Sequence, residues 1–169
     1  MLIRNAGVVG ALRRSGERAN VVNAMQIAAS RGISVSEQHE SRQGHIDALH
    51  LEIETSAGKT RVGGAVVMGK PRLLRVDGIS VEVPLDGDLI YMRNLDVPGV
   101  IGHVGNILGA NKINIANFSL GREEREPSPD QPLHAIAVVE TDGVASEATM
   151  QELKSNPAVI IARTVSLGK

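Results

Sequence analysis

Two rhythms of apolar and polar positions divide the chain. In "NVVNAMQIAASRG", Val22, Met25, Ala29 and Ile33 fall on one side of a predicted helix, and Gly32 stands where a C-terminal cap belongs. Upstream, "VVGALRRSGER" reads as the tail of a helix that turns at Gly16, with its arginines on a solvated face. Strand-like alternation then takes over. It runs through "ISVSEQHE", through "IDALHLEIET" with Ile46, Leu49, Leu51 and Ile53, and through "TRVGGAVVMG" after a turn at "AGK". "PRLLRVDGISVEV" holds Asp77-Gly78 between two short apolar runs, a hairpin signal. A helix followed by a meander of strands predicts a small α+β unit, with a boundary in Pro84 to Asp88.

Beyond that boundary the order changes. "LIYMRN" is strand-like, and "PGVIGHVGNILGANK" places Val100, Ile101, Val104, Ile107 and Leu108 on one helical stripe. "INIANFSLG" alternates, "LHAIAVVET" is a nearly continuous apolar strand, and "SEATMQELKSN" is a short helix capped by Ser146 with Met150 and Leu153 inward. "AVIIARTVSL" closes the chain as a strand. The order β-α-β-β-α-β predicts the split βαβ, ferredoxin-like arrangement. The polar, proline-rich "REEREPSPDQP" reads as a solvated loop between the second and third of these strands. The predicted division is therefore 1–16 as remnant or linker, 17–86 as a first α+β domain and 87–169 as a second.

Composition narrows the function. The chain has 169 residues, 42% of them hydrophobic, but Tyr91 and Phe118 are its only aromatics. That weighs against stacking on single-stranded nucleic acid and against an aromatic-anchored protein interface. A net charge of -1 gives no electrostatic case for a DNA or membrane partner. The absence of cysteine removes thiolate metal sites and a cysteine nucleophile. No segment approaches the roughly 20 apolar residues that span a bilayer, so a cytoplasmic protein is expected. His39, His45, His50, His103 and His134 lack metal-ligand spacing, and neither dinucleotide, P-loop nor nucleophile-elbow motifs occur. No catalytic residues, no metal and no cofactor are expected in this chain.

The richest stretch is "NLDVPGVIGHVGNILGANKINIANFSLGR", Asn94 to Arg122. Asp96 can accept hydrogen bonds from amides of the first helical turn. Pro98 needs no amide partner there, and Gly99 lets another group approach the backbone. Spacing alone supports two readings: ordinary capping, or a cradle whose amides suit a carboxylate and whose Asp96 suits an ammonium. Gly102, Gly105 and Gly109 form a strip that fits close packing against the sheet or a second copy of the helix, or is simply tolerated. Lys70, Arg72 and Arg75, with Lys59 and Arg61 one strand earlier, read as a solvated basic surface or as an anion site.

The same stretch resembles the ACT domain, a small-molecule sensing module of β-α-β-β-α-β order. Specifically, it looks like the ACT domain at the C-terminus of bacterial D-3-phosphoglycerate dehydrogenases. "VVNAMQIAASRGISVSE" and "TRVGGAVVMGKPRLLRVDGISVEVPLDGDLIYMRN" resemble the intervening, or allosteric substrate-binding, domain of the longer forms of that family. The resemblance implies a regulatory region without catalysis of its own, with NAD bound elsewhere in the parent enzyme. It further implies L-serine held between two self-associated ACT domains for feedback control of serine biosynthesis. The family positions fall on Asn94, Asp96, Pro98, Gly99 and Val100 of one copy and Asn114 of its partner. It also implies a phosphorylated ligand near Lys70, Arg72 and Arg75. The alternatives are a stand-alone amino-acid sensor and the regulatory part of an iron–sulfur L-serine dehydratase.

Overall fold

The computed structural model describes residues 2–13, 18–39, 48–126, 128 and 131–168. The chain divides into two compact units, Met1–His45 and Ile46–Lys169. The first contains α1 (Leu2–Leu12) and α2 (Ala24–Ser30), tied by Asn5 Nδ2 donating to the carbonyl of Val21 at 2.7 Å. The helical reading of the N-terminus holds over Leu2–Leu12, while Gly16 lies outside the described residues. Gly32 ends α2 as expected. It takes φ +68°, its amide reaches the carbonyl of Ala29, and that of Ile33 reaches Ala28.

Two expectations for this unit are corrected. The buried side of α2 is Ala24 and Ala28, not the side of Val22, Met25, Ala29 and Ile33. The Asn20 side chain accepts from the amides of Val22 and Asn23, which holds Val22 in a turn before the helix starts. The strand expected over "ISVSEQHE" does not form over Ile33–His39, which have no ladder partner among the described residues; Glu40 lies outside them. Glu37 there faces Arg4 at 3.6 Å and His39 at 3.2 Å.

The second unit holds two four-stranded antiparallel sheets. Strands β1 (Ala48–Thr55), β2 (Gly58–Val67), β3 (Lys70–Val76) and β4 (Ile79–Pro84) pair in chain order. The β3–β4 hairpin turns through Asp77 at φ 49° and Gly78 at φ 88°, the pair of left-handed residues that a two-residue turn requires. The second sheet comprises β5 (Asp88–Leu95), β6 (Ile115–Arg122), β7 (His134–Thr141) and β8 (Val159–Ser166), in the order β6-β7-β5-β8. With α3 (Val100–Ala110) after β5 and α4 (Glu147–Lys154) after β7, this is the expected β-α-β-β-α-β unit.

Alternation along β5 and β7 gives the second sheet two cores. Ile90, Met92, Ala137 and Val139 pack with Val100, Val104 and Leu108 of α3 and with Met150 and Leu153 of α4. Leu89, Ile136 and Val138 point the other way, onto Val76, Ile79, Val81 and Val83 of the first sheet. Strand β4 also meets β6. Ser119 Oγ donates to the Glu82 carbonyl at 2.6 Å, and a Cβ on Gly121 would collide with the Ser80 carbonyl. Ser146 caps α4 as predicted, accepting from the amide of Thr149 at 3.1 Å.

The glycine strip behaves differently from one of its expected roles. A Cβ at Gly102, Gly105 or Gly109 would meet nothing within 4 Å, so these glycines do not serve close packing against this chain's own sheet. The stripe is also narrower than predicted: Val100, Val104 and Leu108 are buried, whereas Ile101 is exposed. Among the described residues, no helix is long and apolar enough to cross a membrane.

Candidate functional site

The end of β5, the following turn and the start of α3 bring Asn94, Asp96, Pro98, Gly99 and Val100 to one end of the second sheet. Alternation puts Asn94 on the helix-facing side, after Ile90 and Met92. It is only 3% exposed. Its Nδ2 donates to the carbonyl of Leu95 at 2.7 Å, but its buried Oδ1 accepts nothing from the described residues. A buried acceptor left unmade is costly, so this oxygen marks a place where a donor is wanted.

Gly99 is the N-cap residue of α3, at φ 92°, and no side chain among the described residues caps the helix. The expected capping by Asp96 is therefore corrected. Its carboxylate goes instead to Arg122 at the end of β6, whose Nε donates to Oδ2 at 2.7 Å while Nη2 forms an ion pair with the same oxygen at 2.6 Å. The positive end of α3 thus keeps unpaired first-turn amides beside an orphan acceptor and a carboxylate. Sequence reasoning missed Arg122, because 26 residues and a strand crossover separate it from Asp96.

Asn114 sits elsewhere. It precedes β6, donates through Nδ2 to Asp142 Oδ2 at 2.8 Å, and its carbonyl accepts from the amide of Asp142. The length of the eight-residue β6 separates it from Arg122, about 25 Å at strand rise. Asn114 therefore does not join Asp96 within one chain.

Around the same end, the loop after β6 is less loosely solvated than expected. Arg125 donates to the carbonyls of Gln131 and Pro132 at 3.1 and 2.8 Å and pairs with Glu123. The amide of His134 donates to Glu123 at 3.0 Å. That backbone hydrogen bond, with Arg125 and His134 nearby, holds the Glu123 carboxyl below its usual range.

The basic residues of the first sheet separate into distinct settings. Lys59 and Arg61 are both committed to Glu52, and the hydrogen bonds from Lys59 and then Arg61 lower that carboxyl's pKa. Arg72 lies 3.7 Å from Glu82. Lys70 and Arg75 have no carboxylate partner among the described residues, and Arg75 Nη2 donates to Ser80 Oγ at 3.3 Å. Arg75 lines a shallow depression of about 300 Å³ with His50, Gly63 and Ser80; Lys70 and Arg72 do not.

A ferredoxin-like β-α-β-β-α-β domain joined to a second antiparallel sheet is the class that the fold defines, and sequence comparison agrees. The ACT domain model matches residues 89–158, and the model described as the D-3-phosphoglycerate dehydrogenase intervening domain matches residues 1–77. The chain belongs to the D-3-phosphoglycerate dehydrogenase family, as its intervening domain joined to an ACT domain. It is 31% identical over 148 residues to D-3-phosphoglycerate dehydrogenase of Methanocaldococcus jannaschii, covering 88% of this chain and 27% of that protein. Against the Bacillus subtilis enzyme it is 30% identical over 151 residues, with the same shares of 88% and 27%. A chloroplastic enzyme of Arabidopsis thaliana is 36% identical over 117 residues, 61% of this chain and 19% of the relative. The chain thus spans about a quarter of the length of the first two relatives.

Proposed function

We propose that this chain is the amino-acid-sensing region of a D-3-phosphoglycerate dehydrogenase, that it binds L-serine, and that the signal is feedback inhibition of serine biosynthesis. The observation that carries the reading is the orphan Asn94 Oδ1 beside the uncapped start of α3. The ligand's ammonium or hydroxyl would supply the missing donor, and its carboxylate would take the free amides. Chemistry and NAD binding belong to other domains of the parent enzyme, in the cytoplasm.

Self-association completes the site in this reading. Strand β6 is an edge of its sheet, and edges invite pairing. Its contacts with β4 are made through Ser119 and Gly121. Those residues lie on the face away from the helices. Antiparallel pairing of two β6 edges sets the Asn114 end of one copy against the Asp96 end of the other. The exposed glycine strip and Ile101 of α3 suit close approach of a second helix.

Calorimetry against a panel of small amino acids tests the proposal, with Asp96→Ala and Asn114→Ala as probes. Loss of one charge-assisted contact should weaken L-serine binding roughly 10- to 150-fold. Mixing the two variants should restore part of the binding, because a heterodimer carries one doubly defective and one intact site. No recovery despite confirmed subunit exchange would rule out the shared site. On the first sheet, the uncompensated Arg75 supports a second proposal, an anion subsite for a phosphorylated ligand. Arg75→Glu should abolish inorganic phosphate binding and spare L-serine; no phosphate binding by the unmodified chain would sink it.

A further inference from the structure

The serine reading leaves Arg122 without a role. Its guanidinium is largely solvent-exposed, at 66%, while the Asp96 side chain it holds is 14% exposed. A surface arginine spent on neutralising a carboxylate would be the ordinary case, worth little. Two features argue for more.

The first is register. Asn94 pairs with Ala135 across β5 and β7, and Arg122 pairs with the same Ala135 across β6 and β7. Asn94, Ala135 and Arg122 therefore form one row over three strands, about 10 Å wide. The row lies on the helix-facing side that also carries Ala137 and Phe118. Its middle member is an alanine, so the two functional side chains flank a methyl group. The second feature is how the pair is bonded. Arg122 Nε, by a hydrogen bond, and Nη2, by an ion pair, converge on the one oxygen Asp96 Oδ2. Asp96 Oδ1 and Arg122 Nη1 are left without hydrogen-bond partners among the described residues.

We infer that Arg122 determines the specificity of this site, receiving one oxygen of the ligand's α-carboxylate while it holds Asp96 ready for the α-ammonium. The inference rests on the amino-acid reading of the site proposed above. Beside Arg122, Asp96 offers no net charge to an incoming ligand. A bare amine gains from Asp96 and is repelled by Arg122; a bare carboxylate meets the reverse. Only a zwitterion satisfies both, and the buried Oδ1 of Asn94 accepts a further hydrogen from the ammonium. Specificity arises from the repulsive half of each comparison as much as from the attractive half. The second carboxylate oxygen is left for the amides of α3.

The test compares L-serine with L-serinamide, which keeps the ammonium and loses the carboxylate, on the full chain and on Arg122→Gln and Arg122→Lys; glycine and glycinamide run as a second pair. The unmodified chain should prefer the amino acid over its amide. Arg122→Gln should cut that preference about tenfold or more, the amino acid weakening while the amide holds or tightens. Arg122→Lys should keep an intermediate preference, since charge survives without the planar fork. An unchanged preference in Arg122→Gln, whatever happens to both affinities, overturns the inference and leaves the site reading standing. Failure of the unmodified chain to bind any small amino acid overturns the site reading and this inference with it.

Discussion

The two four-stranded sheets of the second unit have equal strand numbers and opposite designs. In β1–β4 every strand pairs with its sequence neighbour, whereas β5–β8 interleave as β6-β7-β5-β8. The consecutive sheet is covered most completely at β4, where Ile79, Val81 and Val83 are buried. At its far side β1 has no buried residue, and Leu49 and Ile53 are exposed. The interleaved sheet is covered on both faces, so Leu89, Ile90, Met92 and Ala135 through Val139 are almost wholly buried in its central strands. Interleaving also explains where the chemistry gathers. Each crossover helix must start at a sheet end, so α3 delivers its positive terminus next to the last residues of β5. The meander has no crossover and offers only side chains on a face.

Substitutions at matched depths would sharpen the contrast. The largest effect is expected at Ile136, fully buried between the sheets. Ile136→Ala should destabilise by about 2–5 kcal/mol, whereas Leu49→Ala, on the exposed side of β1, should cost well under half as much in a urea titration. Next comes Gly121, where β4 presses its backbone onto β6. Gly121→Ala forces the sheets apart and should cost about 1–3 kcal/mol, as overpacking does. A larger denaturant m-value change than for Ile136→Ala would indicate that the sheets had separated.

The helix starts of the interleaved unit should then differ from each other. Ser146→Ala removes a cap that the structure contains and should cost about 1 kcal/mol, within a range of about 0.5–2. Asp96→Ala removes no cap. It breaks a pair whose arginine is exposed, and should cost at most about 1 kcal/mol in thermal unfolding. A helix-cap-sized loss at Asp96 would mean that the carboxylate also serves the amides of α3. The smallest effect concerns acid. The Glu123 pKa is lowered in the folded chain from its ordinary 4.5. Its contribution is present above pH 4.5 and lost as pH falls through the folded value, so Glu123→Gln should flatten acid unfolding slightly in that window.

Most of the second unit could be read directly from residues. The Asp77-Gly78 turn, the Ser146 cap and the strand alternation are local, each set by steric or hydrogen-bonding preferences within a few positions. The Asn94–Val100 stretch is equally legible as a helix start with open amides. Tertiary structure decided what each of those signals was for. Asp96 could cap α3 or face another partner, and the choice fell to Arg122, which arrives through β6. The apolar alternation of "ISVSEQHE" matches a strand, yet with no neighbouring ladder among the described residues the backbone of Ile33–His39 stays irregular. Val22 fits the predicted helical stripe, but Asn20 bonds its amide and holds it out of the helix. Local sequence fixes which conformations cost little. Partners brought from tens of residues away then select among them, because a hydrogen bond or an apolar contact stabilises only the pair that actually meets.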